Sequence, residues 1–180
     1  ERYREPGTLS EYVSVNTQAL GSLVATTTGQ DLSRYLEERI WRRIGTEADL
    51  YWLMDNYGRE FAIGGLNAVM RDYARFGRLY LKGGNWEGEQ VVPADWVRAS
   101  VTPDAQHLMP APGSRGYGYQ WWIPADWDGD FMAIGIYNQY IWVYPKKDLV
   151  IVKLRANHTF TENTRGPETV ALFRAIAAEL

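Results

Sequence analysis

Apolar residues recur every three or four positions in the first quarter of the chain, which is the spacing of a helix that buries one face. The first such stripe covers residues 15–28, and Gly29 follows where a helix would end. The second follows Asp31, a residue able to cap a helix, and ends with two arginines before Gly45. The two stripes consist of Val15, Ala19, Leu20, Leu23 and Val24, and of Leu32, Tyr35, Leu36, Ile40 and Ile44.

The next regular pattern lies beyond an aperiodic stretch. Residues 46–65 show no clear period, so we expect a long surface connection, and connections of this length often carry function. The stretch LNAVMRDYARFGRLYLKGG then predicts the clearest helix of the chain, capped by Asn67 and ended by Gly83. A short extended piece, a helix from Pro93 and a polar loop over residues 102–116 follow. The stripe of the clearest helix is Val69, Met70, Tyr73, Phe76 and Tyr80.

From residue 117 onward the pattern changes to that of strands. Because both faces of QYIWVY and LVIVKL are largely apolar, we expect a sheet that is covered on both sides. The turn PKKD joins these two segments into an antiparallel hairpin. A last helix begins near Pro167 and can cover one face, and the predicted fold class is therefore α+β, with helices first and an antiparallel sheet last. The predicted strands are 117–123, 131–136, 139–144 and 148–154, and the covering side chains are Val170, Leu172, Phe173 and Ile176.

Composition narrows the function mainly by exclusion. The 180 residues are 46% hydrophobic, enough for one domain with a core, and carry a net charge of -3 with the basic residues scattered. That distribution argues against nucleic acid as a partner. No apolar run approaches the roughly 20 residues that cross a bilayer, so we expect a soluble chain without a membrane partner. The lack of cysteine excludes disulfides and thiolate zinc sites.

Several short motifs have ordinary explanations. Neither His107 nor His158 lies in a spacing typical of metal ligands, so we expect no metal site. DWDGD predicts a hairpin turn at Asp128–Gly129, because it lacks the distal glutamate of a calcium loop. GSRGYG, residues 113–118, lacks the strand and helix that flank a phosphate loop. NHT at 157–159 matches a glycosylation acceptor, a motif short enough to arise by chance.

Hydroxyl groups accumulate just before the first helix, in the stretch LSEYVSVNTQALGSLV. Two interpretations of Tyr12 and Ser14 stay open: a helix start with Ser14 as the cap and Tyr12 at the core edge, or a pair that faces a reacting bond. A tyrosine acts as a base only where nearby cations stabilise its anion. No lysine is adjacent to Tyr12, so that cation would come from elsewhere in the fold or from another polypeptide.

Three blocks of sequence carry a resemblance to a known family. PGTLSEYVSVNTQALGSLVATTTGQDLSRYLEERIW resembles the segment of serine β-lactamase-like hydrolases that holds the Tyr-x-Ser or Tyr-x-Asn motif, here Tyr12-Val13-Ser14. GGLNAVMRDYARFGRLYLKGGNWEGEQVVPADWV and YGYQWW are similar to the same superfamily, which has the penicillin-binding-protein and class C β-lactamase fold. The resemblance is greatest to its 6-aminohexanoate-dimer hydrolase and esterase branch. It implies a helical region, an antiparallel sheet and a C-terminal covering helix.

The resemblance also implies roles for individual residues. In this family a serine in Ser-x-x-Lys attacks an amide or ester carbonyl. The resemblance would make Tyr12 the general base and acid and Ser14 the hydrogen-bonding partner in the cleft. The third motif corresponds to AIGIYNQ, where the N–H of Ile136, after Gly135, would help to form an oxyanion hole. The substrate-binding set would be Gly135, Ile136, Tyr137, Asn138 and Gln139. Without the resemblance, Gly135 could be a strand bulge and 137–139 a turn.

Two departures from the family pattern qualify this reading. β-Lactamases proper have Lys-Thr-Gly at the third motif, and this chain has neither lysine nor threonine there, which favours an amidase or esterase. No serine is followed by lysine three positions later. We therefore expect residues 1–180 to be the C-terminal part of one hydrolase domain, inactive alone, with an N-terminal companion fragment of the same protein as partner and a small amide or ester as substrate.

Other properties are fixed less closely by the sequence. The family implies no cofactor, and the bacterial cytoplasm or periplasm is the expected compartment. An alternative function is a non-catalytic module of the same fold that binds peptide or cell-wall material. Trp121 and Trp122 alternate across a predicted strand, so at most one of them is expected to face a cleft.

Overall fold

The computed structural model describes residues 4–156 and 166–180. Helix α1 spans Ser14–Thr28 and ends at Gly29, which takes the left-handed conformation that closes a helix. None of its residues is buried, and Val15, Leu20 and Leu23 are each more than half exposed. The predicted helix is confirmed, but within the described chain its apolar stripe faces outward.

Helix α2 spans Leu32–Leu36 and continues through a π-helical turn, Glu37–Trp41, and a 3-10 turn, Arg42–Ile44, to Gly45. Asp31 occupies the N-cap position as predicted, but its side chain makes no capping bond. The buried Glu60 takes that role, since one of its carboxylate oxygens accepts from the Ser33 N–H at 3.1 Å and from the Ser33 hydroxyl at 2.7 Å. The helix start therefore depends on a residue from the following connection.

The connection over residues 46–65 is mostly irregular, as predicted. Strands β1, Tyr51–Trp52, and β2, Leu66–Asn67, pair antiparallel at its ends. The prediction that Asn67 caps the next helix is wrong, because Asn67 belongs to β2 and its side-chain amide donates to the Gly65 carbonyl. Val69 is the N-cap instead.

Helix α3, Met70–Leu81, lies on one face of the main sheet. The predicted stripe residues Tyr73, Phe76 and Tyr80 pack there against Trp121 and the strands. After α3 come the hairpin β3, Asn85–Trp86, with β4, Glu89–Gln90, and helix α4, Ala94–Ser100. Pro93 is the N-cap of α4, and the loop that follows holds one 3-10 turn.

The main sheet has five antiparallel strands in chain order. The predicted strand 117–123 is wrong: it is two short strands, β5 at Gly116–Tyr117 and β6 at Trp122–Ile123, paired as a hairpin. The chain reverses at Gln120, which has a φ of 65°. The other predicted strands are confirmed as β7, Phe131–Gly135, β8, Gln139–Tyr144, and β9, Leu149–Lys153.

Helix α5, Gly166–Ala178, covers the face opposite α3, so the sheet is covered on both sides as expected. Val170, Phe173 and Ala177 pack against Met132, Tyr140 and Trp142. The predicted contribution of Leu172 and Ile176 is wrong, because these side chains are 54% and 42% exposed.

The predicted turn at Asp128–Gly129 is confirmed between β6 and β7 and helps to fix α5. Gly129 has a φ of 86°, and Asp130 beyond it is fully buried. Its carboxylate accepts from Trp142 Nε1 at 2.9 Å and from Arg174 of α5 at 3.1 Å. A buried carboxylate is stable only when its oxygens are bonded, and here they tie helix to sheet.

Candidate functional site

Tyr12 lies at the end of the extended segment that leads into α1, and its side chain is 60% exposed. The ring rests on Trp122 of β6, with centroids 5.3 Å apart and planes inclined by 33°. It also meets Tyr117 of β5 edge to face at 6.1 Å. Tyr12 is therefore a supported but open phenol and not part of the packed interior.

The two adjacent tryptophans face opposite sides, as the strand alternation predicts. Trp121 is 4% exposed and packs on Tyr80 of α3, with centroids 4.5 Å apart. Trp122 is partly buried and contacts Tyr12 and Tyr117, the latter at 4.7 Å. Trp122 is thus the tryptophan of the candidate site.

Gln120 links the first helix to the β5–β6 hairpin across 103 positions of sequence. Its side-chain oxygen accepts from the Thr17 hydroxyl of α1 at 3.4 Å and from the Tyr117 hydroxyl at 3.3 Å. Burial, together with charge repulsion from Tyr12, raises the pKa of Tyr117 to about 12. Tyr117 therefore stays protonated at neutral pH and acts here as a donor, which makes it unsuited to be the base.

Ser14 is the first residue of α1 and is exposed. The interpretation of Ser14 as the helix cap is wrong, because the N-cap is Val13 and no side chain caps this end. Among residues 4–156 and 166–180 its hydroxyl has no hydrogen-bond partner. Tyr12 and Ser14 thus present two exposed hydroxyl groups at the same end of α1.

The second part of the candidate site is the turn between β7 and β8. Gly135 pairs in register with Gln139, so it is not a bulge. Tyr137 and Asn138 have φ values of 64° and 67°, the pair of left-handed residues that a tight hairpin turn needs. Strained non-glycine residues persist where the surroundings hold them, often at functional sites. The side chains of Ile136 and Tyr137 are 59% and 42% exposed.

The two amide side chains of this turn differ in their partners. Gln139 donates to the Arg155 carbonyl and accepts from the Arg155 N–H at 2.9 Å, so both of its ends are engaged with β9 and its extension. The amide nitrogen of Asn138 is buried and has no partner in the described part of the chain. Asn138 is therefore the better placed of the two to bind a ligand.

The two parts share one edge of β7. Strand β6 pairs with β7 only through Trp122 and Met132, and Ile136 lies four residues beyond Met132, about 13 Å along the strand. Between them, no strand of the described chain covers the edge of β7 opposite β8. The rings of Tyr117 and Trp122 form an aromatic wall under Tyr12. The open edge of β7 lies between this aromatic wall and the Ile136 turn.

The histidines and acidic residues that the structure describes form no metal site. In the described residues, no group of three or more histidine, cysteine or acidic side chains is arranged to hold a metal. His107 lies in a 3-10 turn, whereas His158 and the NHT motif are outside the described residues. None of the helices in the described ranges is both long and apolar enough to cross a membrane.

The sequence pointed to Tyr12, Ser14 and residues 135–139, and to at most one of Trp121 and Trp122. It did not point to Tyr117 and Gln120, which contact Tyr12 and Thr17. The block YGYQWW carried part of the family resemblance, and that was the available signal. Its contacts with Tyr12 and Thr17 join positions more than 100 residues apart, and only the structure reveals them.

The chain is similar to known proteins over nearly all of its length. The profile of the Beta-lactamase family matches residues 2–172. A 6-aminohexanoate-dimer hydrolase of Paenarthrobacter ureafaciens is 33% identical over 150 residues, which cover 80% of this chain and 38% of that protein. A Bacillus anthracis protein provisionally named a 6-aminohexanoate-dimer hydrolase has a solved structure that matches with a TM-score of 0.90 and 34% identity, over 99% of this chain and 46% of that one.

More distant structures share the fold. An octameric penicillin-binding protein homologue from Pyrococcus abyssi matches with a TM-score of 0.69 at 20% identity, over 96% of this chain and 44% of that one. The chain thus spans less than half the length of these relatives.

Proposed function

This chain belongs to the beta-lactamase family, its relatives include hydrolases, and from that premise we propose that it forms part of a serine hydrolase that cleaves an amide or ester through an acyl-enzyme. The observation that carries the proposal is the position of Tyr12, an exposed phenol on an aromatic wall beside the open edge of β7.

The proposed roles follow from what each group can do. Tyr12 accepts the proton of the attacking serine hydroxyl and passes it to the leaving amine or alcohol, while the serine oxygen bonds to the carbonyl carbon. Water then hydrolyses the acyl-enzyme ester, and Tyr12 again acts as the base. Ser14 donates a hydrogen bond in the cleft, and its exposed hydroxyl is available for that role.

The nucleophile is proposed to come from a part of the protein outside these 180 residues. No serine of the chain has a lysine three positions later, and the relatives are more than twice as long as the matched region. A lysine of that motif would also supply the cation that a tyrosine needs to act as a base. On this proposal the chain alone is inactive.

The turn after β7 supplies the electrophilic side of the mechanism. The N–H of Ile136 donates to the oxyanion that forms on the carbonyl oxygen, an interaction whose loss typically costs about 3 to 4 kcal/mol of barrier. Tyr137 and Asn138 belong to the same turn, and the amide nitrogen of Asn138, which has no partner in the described residues, is the group proposed to bind substrate. Gln139 acts by holding the turn to Arg155.

The proposed substrate is a small amide or ester and not a β-lactam. The segment AIGIYNQ has neither the lysine nor the threonine with which β-lactamases proper bind the β-lactam carboxylate. The relatives named 6-aminohexanoate-dimer hydrolases support an amide in particular.

A labelling experiment tests the assignment of the base. We expect Tyr12→Phe in the intact protein to slow acylation by a fluorophosphonate, followed by intact mass, about 10²-fold to 10⁴-fold, because the proton acceptor is lost. Tyr57→Phe is the matched control, since Tyr57 is 88% exposed and lies in the 46–65 connection. Unchanged acylation in Tyr12→Phe would contradict the role of Tyr12, and labelling of the 180-residue chain alone would contradict the external nucleophile.

The alternative is a non-catalytic module that binds peptide or cell-wall material. It rests on the lack of Ser-x-x-Lys in these residues and on the orphan amide of Asn138. An intact protein that binds muropeptide fragments but never becomes acylated would establish it.

A further inference from the structure

A cleft adjoins the aromatic wall that Tyr117 and Trp122 form under Tyr12. It has a volume of about 660 Å³ and lies between the loop before β5, the end of β6 and the first turns of α5. Trp122 belongs both to the lining of this cleft and to the contact with Tyr12, so the cleft begins where the aromatic wall under Tyr12 ends. Its size suits a small molecule or part of one.

Arg115 lines this cleft and carries a charge that the described chain does not neutralise. Its side chain is half-buried and forms no hydrogen bond or ion pair with any residue of 4–156 or 166–180. Burial raises the pKa of Tyr140 in the sheet, and the positive charge of Arg115 opposes that rise. A partly desolvated guanidinium is costly unless an anion pairs with it.

The acidic residue of the cleft is already paired. Asp126 also lines it, but its carboxylate forms a salt bridge with Arg174 of α5, which in turn binds Asp130. Among the described residues that line the cleft, Arg115 is therefore the positive group without a counter-charge, and the other lining side chains include the apolar Trp122, Met132 and Val170. Apolar side chains beside one unpaired cation fit a ligand that has a hydrocarbon portion and a single anionic group.

We propose that this cleft binds a carboxylate of the substrate and that Arg115 is its partner. The inference rests on the proposed hydrolase function and narrows the substrate class to amides or esters whose hydrocarbon chain ends in a carboxylate. A guanidinium binds a carboxylate through two parallel N–H···O bonds, which fixes orientation as well as charge.

Two esters of equal chain length test the kinetic consequence in the intact protein. Mono-p-nitrophenyl glutarate carries the carboxylate, whereas p-nitrophenyl pentanoate is neutral. We expect Arg115→Ala to raise KM for the glutarate ester about tenfold, equivalent to about 1.4 kcal/mol, and to leave KM for the pentanoate ester within about twofold. Arg115→Lys retains the charge but not the paired donors, and an intermediate KM is expected. Arg98→Ala, at an exposed arginine of α4, is the control.

A binding measurement separates this inference from the proposed function. Pentanoate and pentanamide are titrated into the intact protein by calorimetry, without any chemical step. Tighter binding of pentanoate than of pentanamide, lost in Arg115→Ala but not in Arg98→Ala, supports the site even if neither ester is hydrolysed. Equal binding of the two ligands, or an Arg115→Ala variant that keeps its melting temperature and still prefers pentanoate, would overturn it.

Discussion

At the scale of single residues, the proposed role of Tyr12 as general base depends on the ring beneath it. A general base must be held within hydrogen-bond reach of its proton, and a displacement of about 1 Å can cost about 10²-fold in rate. Trp122 provides the surface on which the Tyr12 ring rests, 5.3 Å away between centroids. Because Tyr12 is otherwise largely exposed, Trp122 is expected to set its orientation.

We predict that Trp122→Leu lowers kcat of the intact protein for p-nitrophenyl pentanoate about tenfold to 10²-fold, with a smaller change in KM. Trp122→Phe keeps a flat ring and should restore most of the activity, which a loss of folding would not allow. Trp127→Leu, at a partly exposed tryptophan of the Asp126–Asp130 turn, is the control. A Trp122→Leu variant with unchanged kcat would show that Tyr12 is positioned by other contacts.

Single residues also show what local sequence can and cannot predict. Ser14 and Asp31 are residue types that cap helices, yet neither side chain does so. The bond to Ser33 comes from Glu60, 27 positions away, and no local pattern contains that contact. Tyr12 was identified through the resemblance of its motif, whereas the partners Tyr117 and Gln120 depend on how the hairpin folds back onto α1.

At the scale of elements, α3 approaches the sheet at one position where there is no side chain. A Cβ added to Gly77 would lie 2.7 Å from Val150 Cγ1 and 2.9 Å from Ile141 Cγ2. Both neighbours are β-branched and stiff, so they cannot turn aside without moving a strand. Helix α3 therefore packs closely against β8 and β9 at Gly77.

We predict that Gly77→Ala lowers the free energy of unfolding of the intact protein by about 1 to 3 kcal/mol, the usual cost of overpacking a core. The gain in helix propensity, about 1 kcal/mol, is already included in that range. Gly64→Ala is the control, since a Cβ there meets nothing within 4 Å. Equal urea midpoints for the two variants would contradict the close packing of α3 against the sheet.

The elements that could be predicted are those with a long, regular pattern. The hairpin β8–β9 and helices α1, α3 and α5 follow from periodicity and turn residues that lie within each segment. The prediction of one strand over residues 117–123 is wrong because Gln120 adopts a left-handed conformation. The hydroxyl groups of Thr17 and Tyr117 donate to the Gln120 side chain and hold it in place. An alternating run alone gives no sign of that reversal.

At the scale of the whole molecule, Glu60 joins the first helices to the long connection. The Glu60 carboxylate accepts from Ser33 of α2, its carbonyl accepts from Gln18 of α1, and Gln18 also accepts from the Ala62 N–H at 2.8 Å. Burial would raise the pKa of Glu60, but the hydrogen bonds from Ser33 oppose this and lower the pKa below 4.5. The folded protein therefore favours the carboxylate more than the unfolded chain does.

The sign of the pH dependence follows from that difference. Stability contributed by Glu60 is present above the unfolded pKa, near 4.5, and is lost as pH falls through the lower folded value, because the unfolded chain then binds more protons. We predict that Glu60→Gln lowers the free energy of unfolding of the intact protein at pH 7 by about 1 kcal/mol and makes it less dependent on pH between about 5.5 and 3.5. Urea unfolding of wild type, Glu60→Gln and the exposed control Glu87→Gln measures both effects. If the free energy of unfolding of Glu60→Gln falls with pH as steeply as that of wild type and of Glu87→Gln, the ionised Glu60 does not hold α1, α2 and the connection together.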